Sequence, residues 1–270
     1  MSEATLGFIG GGVMGEALLS RLLDQGVFGT ANVLVSDPSE SRRNFLYETY
    51  GVPVVGENAA VVQHADMVLL AVKPQILPKV VAQLKDTIST VRPLLLSILA
   101  GTTLQQLTDS FVGWPIIRAM PNTPATVGAG VTAIAPGEGV TSQQIDRARQ
   151  IFASVGDVVE VPEYLMDAVT SLSGSGPGYI ALVVEALADG GVAAGLPRAT
   201  AMQLAIQTVK GTAELLQQSG MHPGALKDRV TSPGGTTIAG VAQLEAKGLR
   251  SALIEAVQAA CARSKELGRR

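Results

Sequence analysis

The chain of 270 residues has one cysteine, Cys261, two histidines, one tryptophan and only 4% aromatic residues. A lone cysteine excludes an internal disulfide framework and any multi-cysteine metal site. No metal centre is therefore expected, and a reducing cytoplasm suits the chain. Cys261 lies in an Ala-rich helical pattern and reads as buried filler. No stretch approaches the roughly twenty uninterrupted apolar residues of a membrane span, and the N-terminus lacks a secretory pattern. Twenty Lys and Arg against 23 Asp and Glu give a net charge of −3, with no basic footprint for nucleic acid. The expectations are a cytoplasmic chain with neither a nucleic-acid nor a membrane partner. Charged residues make up only 16% and apolar ones 47%, which leaves material for a large core or for a core plus a subunit interface.

The most informative stretch present is Leu6-Gly7-Phe8-Ile9-Gly10-Gly11-Gly12-Val13-Met14-Gly15. Leu6, Phe8 and Ile9 read as a buried strand, and Glu16 to Leu23 has helical periodicity. Gly10, Gly12 and Gly15 fit G-x-G-x-x-G, the turn that seats a dinucleotide diphosphate on a helix N-terminus. Gly10 permits the tight turn, Gly12 removes the Cβ that would block the diphosphate, and Gly15 brings helix and strand together. A second apolar run ends in Ser36-Asp37-Pro38. Asp37 either accepts the ribose hydroxyls of NAD and repels the extra phosphate of NADP, or caps the next helix. Arg42 and Arg43, one turn further on, can reach a 2′-phosphate, so NADH and NADPH both stay open.

Strand-like runs at 5–10, 32–36, 52–55, 67–72, 93–99, 115–119, 130–135 and 157–161 alternate with amphipathic segments such as Glu40–Tyr50 and Ser142–Ser154. This alternation predicts an α/β Rossmann domain over residues 1–162, a doubly wound and mostly parallel sheet. Beyond Pro162 only Ala/Leu/Gly-rich helical stretches appear, at 163–172, 177–195, 198–219, 224–231, 235–246 and 249–267. They predict an all-helical domain over 163–270. Segments such as Ile180–Ala194, apolar on nearly every face, point to dimerisation through it.

Ligands bind a doubly wound sheet at the carboxyl ends of its strands. Lys73 follows the apolar strand 67–72, as a cofactor contact or as a solvated strand end. Ala100 and Gly101 are small enough to lie against a planar ring. Asn122, in the loop fixed by Pro121 and Pro124, reads as a nicotinamide contact or as part of a rigid turn. In the helical half, Ser171–Tyr179 interrupts the helical pattern, and Thr231-Ser232-Pro233-Gly234-Gly235-Thr236-Thr237-Ile238 precedes a helix. That second segment has what a carboxylate needs, free N–H groups at a helix start plus hydroxyl donors. His64 and His222 both lie away from the strand ends, so the His base of a 2-hydroxy-acid dehydrogenase is missing. Hydride addition to a protonated imine needs no such base, since the iminium is already electrophilic.

The chain resembles the pyrroline-5-carboxylate reductase family over its whole length. The resemblance rests on Gly7-Phe8-Ile9-Gly10, Ala71-Val72-Lys73-Pro74, Arg118 to Pro124, and Ser173-Gly174-Ser175-Gly176-Pro177. It continues through Ala188-Asp189-Gly190-Gly191-Val192, Gly195-Leu196-Pro197-Arg198, His222 to Asp228 and Ser232 to Ile238. It implies reduction of 1-pyrroline-5-carboxylate to L-proline with NADPH or NADH, the last step of proline biosynthesis. The implied coenzyme contacts are Gly10, Gly11, Gly12, Val13 and Met14 in the first loop, then Ser36, Asp37 and Asn58. Ala71, Val72, Lys73, Ala100, Gly101 and Asn122 complete that implied set. Thr237 is implied to offer its hydroxyl to the ring nitrogen, with Ser232, Gly234, Gly235 and Thr236 on the substrate carboxylate. The resemblance also implies a homodimer, and beyond it a decamer of five dimers.

Overall fold

In the computed structural model, which describes residues 4–268, one eight-stranded sheet carries the first part of the chain. Its strands are β1 (Leu6–Ile9), β2 (Val33–Ser36), β3 (Val54–Val55), β4 (Met67–Leu70), β5 (Leu94–Ser97), β6 (Ile116–Met120), β7 (Gly130–Pro136) and β8 (Gly156–Glu160). They lie in the order β3-β2-β1-β4-β5-β6-β7-β8, parallel throughout except for the antiparallel β6–β7 pair. The expected mostly parallel, doubly wound sheet is what forms.

The helices are α1 (Val13–Asp24), α2 (Glu40–Tyr50), α3 (Asn58–His64), α4 (Leu77–Gln83), α5 (Lys85–Ile88), α6 (Leu104–Ser110) and α7 (Ser142–Ala153). They continue with α8 (Met166–Val169), α9 (Gly176–Ala193), α10 (Arg198–Ser219), α11 (Pro223–Arg229), α12 (Thr236–Ala246) and α13 (Leu249–Gly268). Continuous apolar runs make the inner strands β1, β4 and β5, which are buried along their whole length because both faces of the sheet are covered there. Leu6, Phe8, Met67, Leu69, Leu94 and Leu96 join a core with α1, α2 and α7 residues such as Leu18, Leu46 and Phe152. The alternate positions Ile9, Val68, Leu70 and Leu95 join a second core with Val61 of α3, Val80 of α4 and Leu107 of α6. Strand order reverses between β2-β1 and β4, which makes the carboxyl ends of β1 and β4 the switch point where ligands bind.

The stretch 171–179, expected to break the helix, interrupts the α-helix but does not unwind into a loop. From α8 the chain passes into a π-helical turn at Thr170–Gly174, and α9 starts at Gly176. Thr170 and Ser173 satisfy their hydroxyls on the carbonyls of Met166 and Val169, one turn back, so a hydroxyl-rich stretch remains in the helix.

By internal packing the chain divides into two units: residues up to Ser175 together with Ala260 onward, and Gly176–Ala259. The second unit is wholly helical. Its α9 and α10, joined through Gly195-Leu196-Pro197, pack around Ala188, Ala201 and Ala205. Gly191 belongs to that contact, because a Cβ there would lie 3.0 Å from the Ala201 Cβ.

Candidate active site

The expected coenzyme residues fall at the carboxyl ends of the strands of the first unit. Gly10, with φ of 102°, turns the chain from β1 into α1, and its N–H donates to the Ser36 carbonyl at 2.9 Å. A Cβ on Gly10 would stand 2.7 Å from the Ala71 carbonyl oxygen, and one on Gly15 2.5 Å from the Gly10 carbonyl oxygen. Both positions are closed to any side chain. Gly12 differs, for a Cβ there meets nothing within 4 Å. It is the N-cap of α1 and supplies no side-chain cap, so the first N–H groups of α1, at Val13 and Met14, have no partner within the helix. An open surface over unpaired amides at the positive end of a helix fits a diphosphate.

Asp37 sits beside this loop. Its Oδ2 accepts from the Gly11 N–H at 3.0 Å and its Oδ1 from the Ser39 N–H at 2.9 Å. The cap of α2 is Ser39, whose hydroxyl accepts from Arg42 N at 3.4 Å, so the helix-cap alternative for Asp37 falls away. Arg42 donates through Nε to the Gly11 carbonyl at 2.5 Å, pairs through Nη2 with Glu16, and lies 4.9 Å above the Phe45 ring. Arg43 is spent on main chain, with Nη1 at 2.9 Å from the Asp37 carbonyl and 3.0 Å from that of Pro38. Tyr50 donates its hydroxyl to Glu16 at 2.8 Å. Partial burial works against the charged Glu16, but the bonds from Arg42 and Tyr50 outweigh it and hold that carboxyl below its ordinary range. Burial, then the bond to Glu16, pushes the Tyr50 phenol up to about 12.

Around this centre stand the remaining expected residues. The buried Ser36 hydroxyl lies 2.7 Å from Asn58 Oδ1 and 3.1 Å from the Phe8 carbonyl, while Asn58 Nδ2 donates to Gln83 at 2.7 Å. Ala71 and Val72 follow β4 half-buried, and Lys73 is exposed at the start of the next turn. Ala100 and Gly101 follow β5, Gly101 with φ of 74°. Asn122 is committed within the chain at both ends of its amide: Oδ1 accepts from Val131 N at 3.0 Å and Nδ2 donates to the Ser173 carbonyl at 3.2 Å. It braces β7 and the π turn.

The second expected site lies in the helical unit. Gly235 N–H donates to the Ser232 carbonyl at 3.0 Å, with Pro233 next and Gly234 at φ of 66°, the pattern of a type II turn. Gly235 is the N-cap of α12 and supplies no side-chain cap, which leaves the N–H groups of Thr236 and Thr237 without helical partners. A Cβ on Gly235 would overlap the Ser232 hydroxyl. Among the described residues no group bonds the hydroxyls of Ser232, Thr236 or Thr237, and Thr237 is half-buried while the other two are exposed. Three free hydroxyls around two free amides suit a carboxylate and a polar ring atom.

Neither histidine belongs to these sites. His222 caps α11, its Nδ1 accepting from Gly224 N at 3.1 Å, and His64 is exposed at the end of α3. Among the described residues no group of three or more His, Cys, Asp or Glu is arranged to hold a metal, and no helix is long and apolar enough to cross a membrane. Sequence reading missed two polar clusters. One is Glu16–Arg42–Tyr50. The other joins Arg118 on β6 to Glu163 at 3.3 Å, with Glu163 also accepting from the Leu104 N–H at the start of α6. Arg118, alone in an apolar strand, is the signal that announced the second, since a buried charge demands a partner.

Residues 163–267 match the family described as pyrroline-5-carboxylate reductase dimerisation, and residues 5–101 the one described as NADP oxidoreductase, coenzyme F420-dependent. The pyrroline-5-carboxylate reductase of Synechocystis is 57% identical over 98% of both chains, and that of Escherichia coli 40% identical over 99% of both. Among solved structures, that of Plasmodium falciparum pyrroline carboxylate reductase with NADP bound is similar at a TM-score of 0.88, with 33% identity over 99% of both chains.

Proposed function

The chain belongs to the pyrroline-5-carboxylate reductase family, and from that premise we propose which of its residues carry the reaction. The enzyme reduces 1-pyrroline-5-carboxylate to L-proline, the last step of proline biosynthesis, with NAD(P)H, and its helical part is a dimerisation domain. Residues 1–162 form the coenzyme domain, and residues 163–270 the domain for substrate and dimer contact. What carries the assignment of chemistry is the loop Ser232–Thr237, whose hydroxyls and leading amides have no partners among the described residues.

The residues suited to the coenzyme are Gly10, Gly11, Gly12, Val13 and Met14 for the diphosphate, with Ser36, Asp37 and Asn58 toward the adenosine ribose. Ala71, Val72, Lys73, Ala100, Gly101 and Asn122 border the nicotinamide half. When bound, NAD(P)H supplies the hydride for the imine carbon. Ser232, Gly234, Gly235 and Thr236 hold the substrate carboxylate and so choose the face of the ring that reacts. Thr237 places its hydroxyl at the ring nitrogen, with the hydroxyl oxygen accepting from the iminium N–H. A threonine hydroxyl is a poor acid, so its work is to orient a substrate already protonated as the iminium, which then takes up the hydride to become a secondary amine. Holding two reactants in contact lowers such a barrier by about 7–11 kcal/mol in favourable cases.

Two chains pair through the helical unit, supported by the apolar side chains exposed on it, and in this reading five such dimers build a decamer. The protein works in the cytoplasm, in keeping with its lone cysteine, and without nucleic acid or membrane, in keeping with its mild net charge. The test is a spectrophotometric assay of the purified protein with 1-pyrroline-5-carboxylate and each coenzyme. Substrate-dependent coenzyme oxidation with formation of proline is expected. A chain that binds coenzyme but leaves it reduced would overturn the catalytic roles.

A further inference from the structure

We propose that Glu16 governs coenzyme choice by holding Arg42 away from the adenosine 2′ position, so that breaking the Glu16–Arg42 pair opens the site to the 2′-phosphate of NADPH. The inference rests on the assignment of the glycine loop to the coenzyme. It starts from Gly11, which is gripped on both sides. Asp37 Oδ2 takes its N–H at 3.0 Å, and Arg42 Nε reaches its carbonyl at 2.5 Å. A carboxylate and a guanidinium therefore flank the same residue of the diphosphate loop, at the end of β2, where a Rossmann site reads the ribose. Asp37 repels a 2′-phosphate. Arg42 has the planar fork that would bind one bidentately.

Two of the three guanidinium nitrogens of Arg42 are already engaged. Nη2 pairs with Glu16, the guanidinium lies over Phe45, and Nε is on Gly11. Glu16 is itself fixed, because it projects from the first turn of α1 and accepts the Tyr50 hydroxyl at 2.8 Å on its other oxygen. Arg43 is tied to the main chain on the other side of Asp37, with its Nη1 bound to the carbonyls of Asp37 and Pro38, and Glu16 does not reach it. The pocket thus presents Asp37 as an anion while the charge of Arg42 is matched by Glu16. Glu16 is not among the expected coenzyme residues; it bonds Arg42 and Tyr50 and is a positioning residue, acting through Arg42.

Calorimetric titration of the intact oligomer with NADH and with NADPH tests this, since the two ligands differ only in the 2′-phosphate. Glu16→Gln keeps the length of the side chain and an oxygen for Tyr50, but removes the charge that holds Arg42. It should tighten NADPH about tenfold relative to NADH, the scale of one charge-assisted bond. The kcat/KM ratio of the two coenzymes should move in the same direction. In an Arg42→Ala background, Glu16→Gln should produce no such gain. An unchanged NADPH/NADH ratio in Glu16→Gln overturns the proposal, as does a gain that persists without Arg42, which would mean direct repulsion by Glu16. If neither coenzyme binds any of these proteins, the assignment of the loop falls and the proposal falls with it.

Discussion

Thr237 is the second residue of α12, half-buried, with a hydroxyl that no described group engages. A hydroxyl that orients the iminium matters more to the transition state than to ground-state binding, so its loss should appear in kcat as well as in KM. Thr237→Val, which keeps the shape, should lower kcat/KM by about one to two orders of magnitude, or roughly 1.4–2.7 kcal/mol. Wild-type kcat/KM in that variant would remove the role. Asp37 gives a second prediction at this scale. Its carboxylate bonds Gly11 and Ser39 through main-chain N–H groups and is matched by no side-chain cation in the bonds it makes. Asp37→Ser should move the ratio of kcat/KM values toward NADPH, because a like charge leaves the neighbourhood of the 2′-phosphate. Both coenzymes should lose some affinity as Gly11 loses its acceptor, so the ratio is the quantity to measure; an unchanged ratio would make Asp37 a loop brace only.

The elements that carry these residues are tied together by contacts distant in sequence. Arg118 is 5% exposed on β6, and its partner Glu163 also accepts the first N–H of α6, so one carboxylate joins a strand, a helix start and the turn before α8. Glu163→Ala would leave a buried guanidinium and a helix N–H unpaired. Because Glu163 is about one-third exposed, the expected loss in urea unfolding is about 1–3 kcal/mol, below that of a fully buried pair. The double variant Arg118→Met with Glu163→Leu should recover part of it, whereas equal losses would show that the pair contributes nothing as a pair. This kind of link also marks what the sequence could not disclose. The inner strands β1, β4 and β5 were legible because their runs are apolar on both faces, though their hydrogen-bonded spans are shorter than expected, as with Met67–Leu70 inside 67–72. The glycine roles were legible because Gly10 and Gly15 have only one steric solution. The π turn was not, since serine and threonine favour caps and turns until their hydroxyls fold back on the preceding turn, as those of Thr170 and Ser173 do. Nor was the occupation of Asn122, whose partners Val131 and Ser173 come from two other elements.

At the scale of the molecule, the helical unit has too little core to stand alone. Between Gly176 and Ala259 the buried apolar side chains are those of Ala188, Ala201 and Ala205, each contributing little more than a methyl group. More than half of the large apolar side chains exposed among the described residues belong to this same unit, including Leu182 and Ile254 at 67% and 58% exposure. A stretch of five helices cannot offset its conformational entropy with three buried alanines, because burial stabilises by only about 25 cal/mol per Å² of apolar surface. The missing burial has to come from a second chain. An interface that replaces a core in this way commonly exceeds about 2,000 Å² and resembles a domain interior divided between subunits. The dimer should therefore be the smallest folded form, with folding and association as one event. Sedimentation at low micromolar concentration should show dimers or assemblies of dimers and no monomer, and Tm should rise with protein concentration, as mass action requires of coupled folding and association. A stable, active monomer, or a Tm independent of concentration in reversible unfolding, would mean that the helical unit finds its burial within one chain.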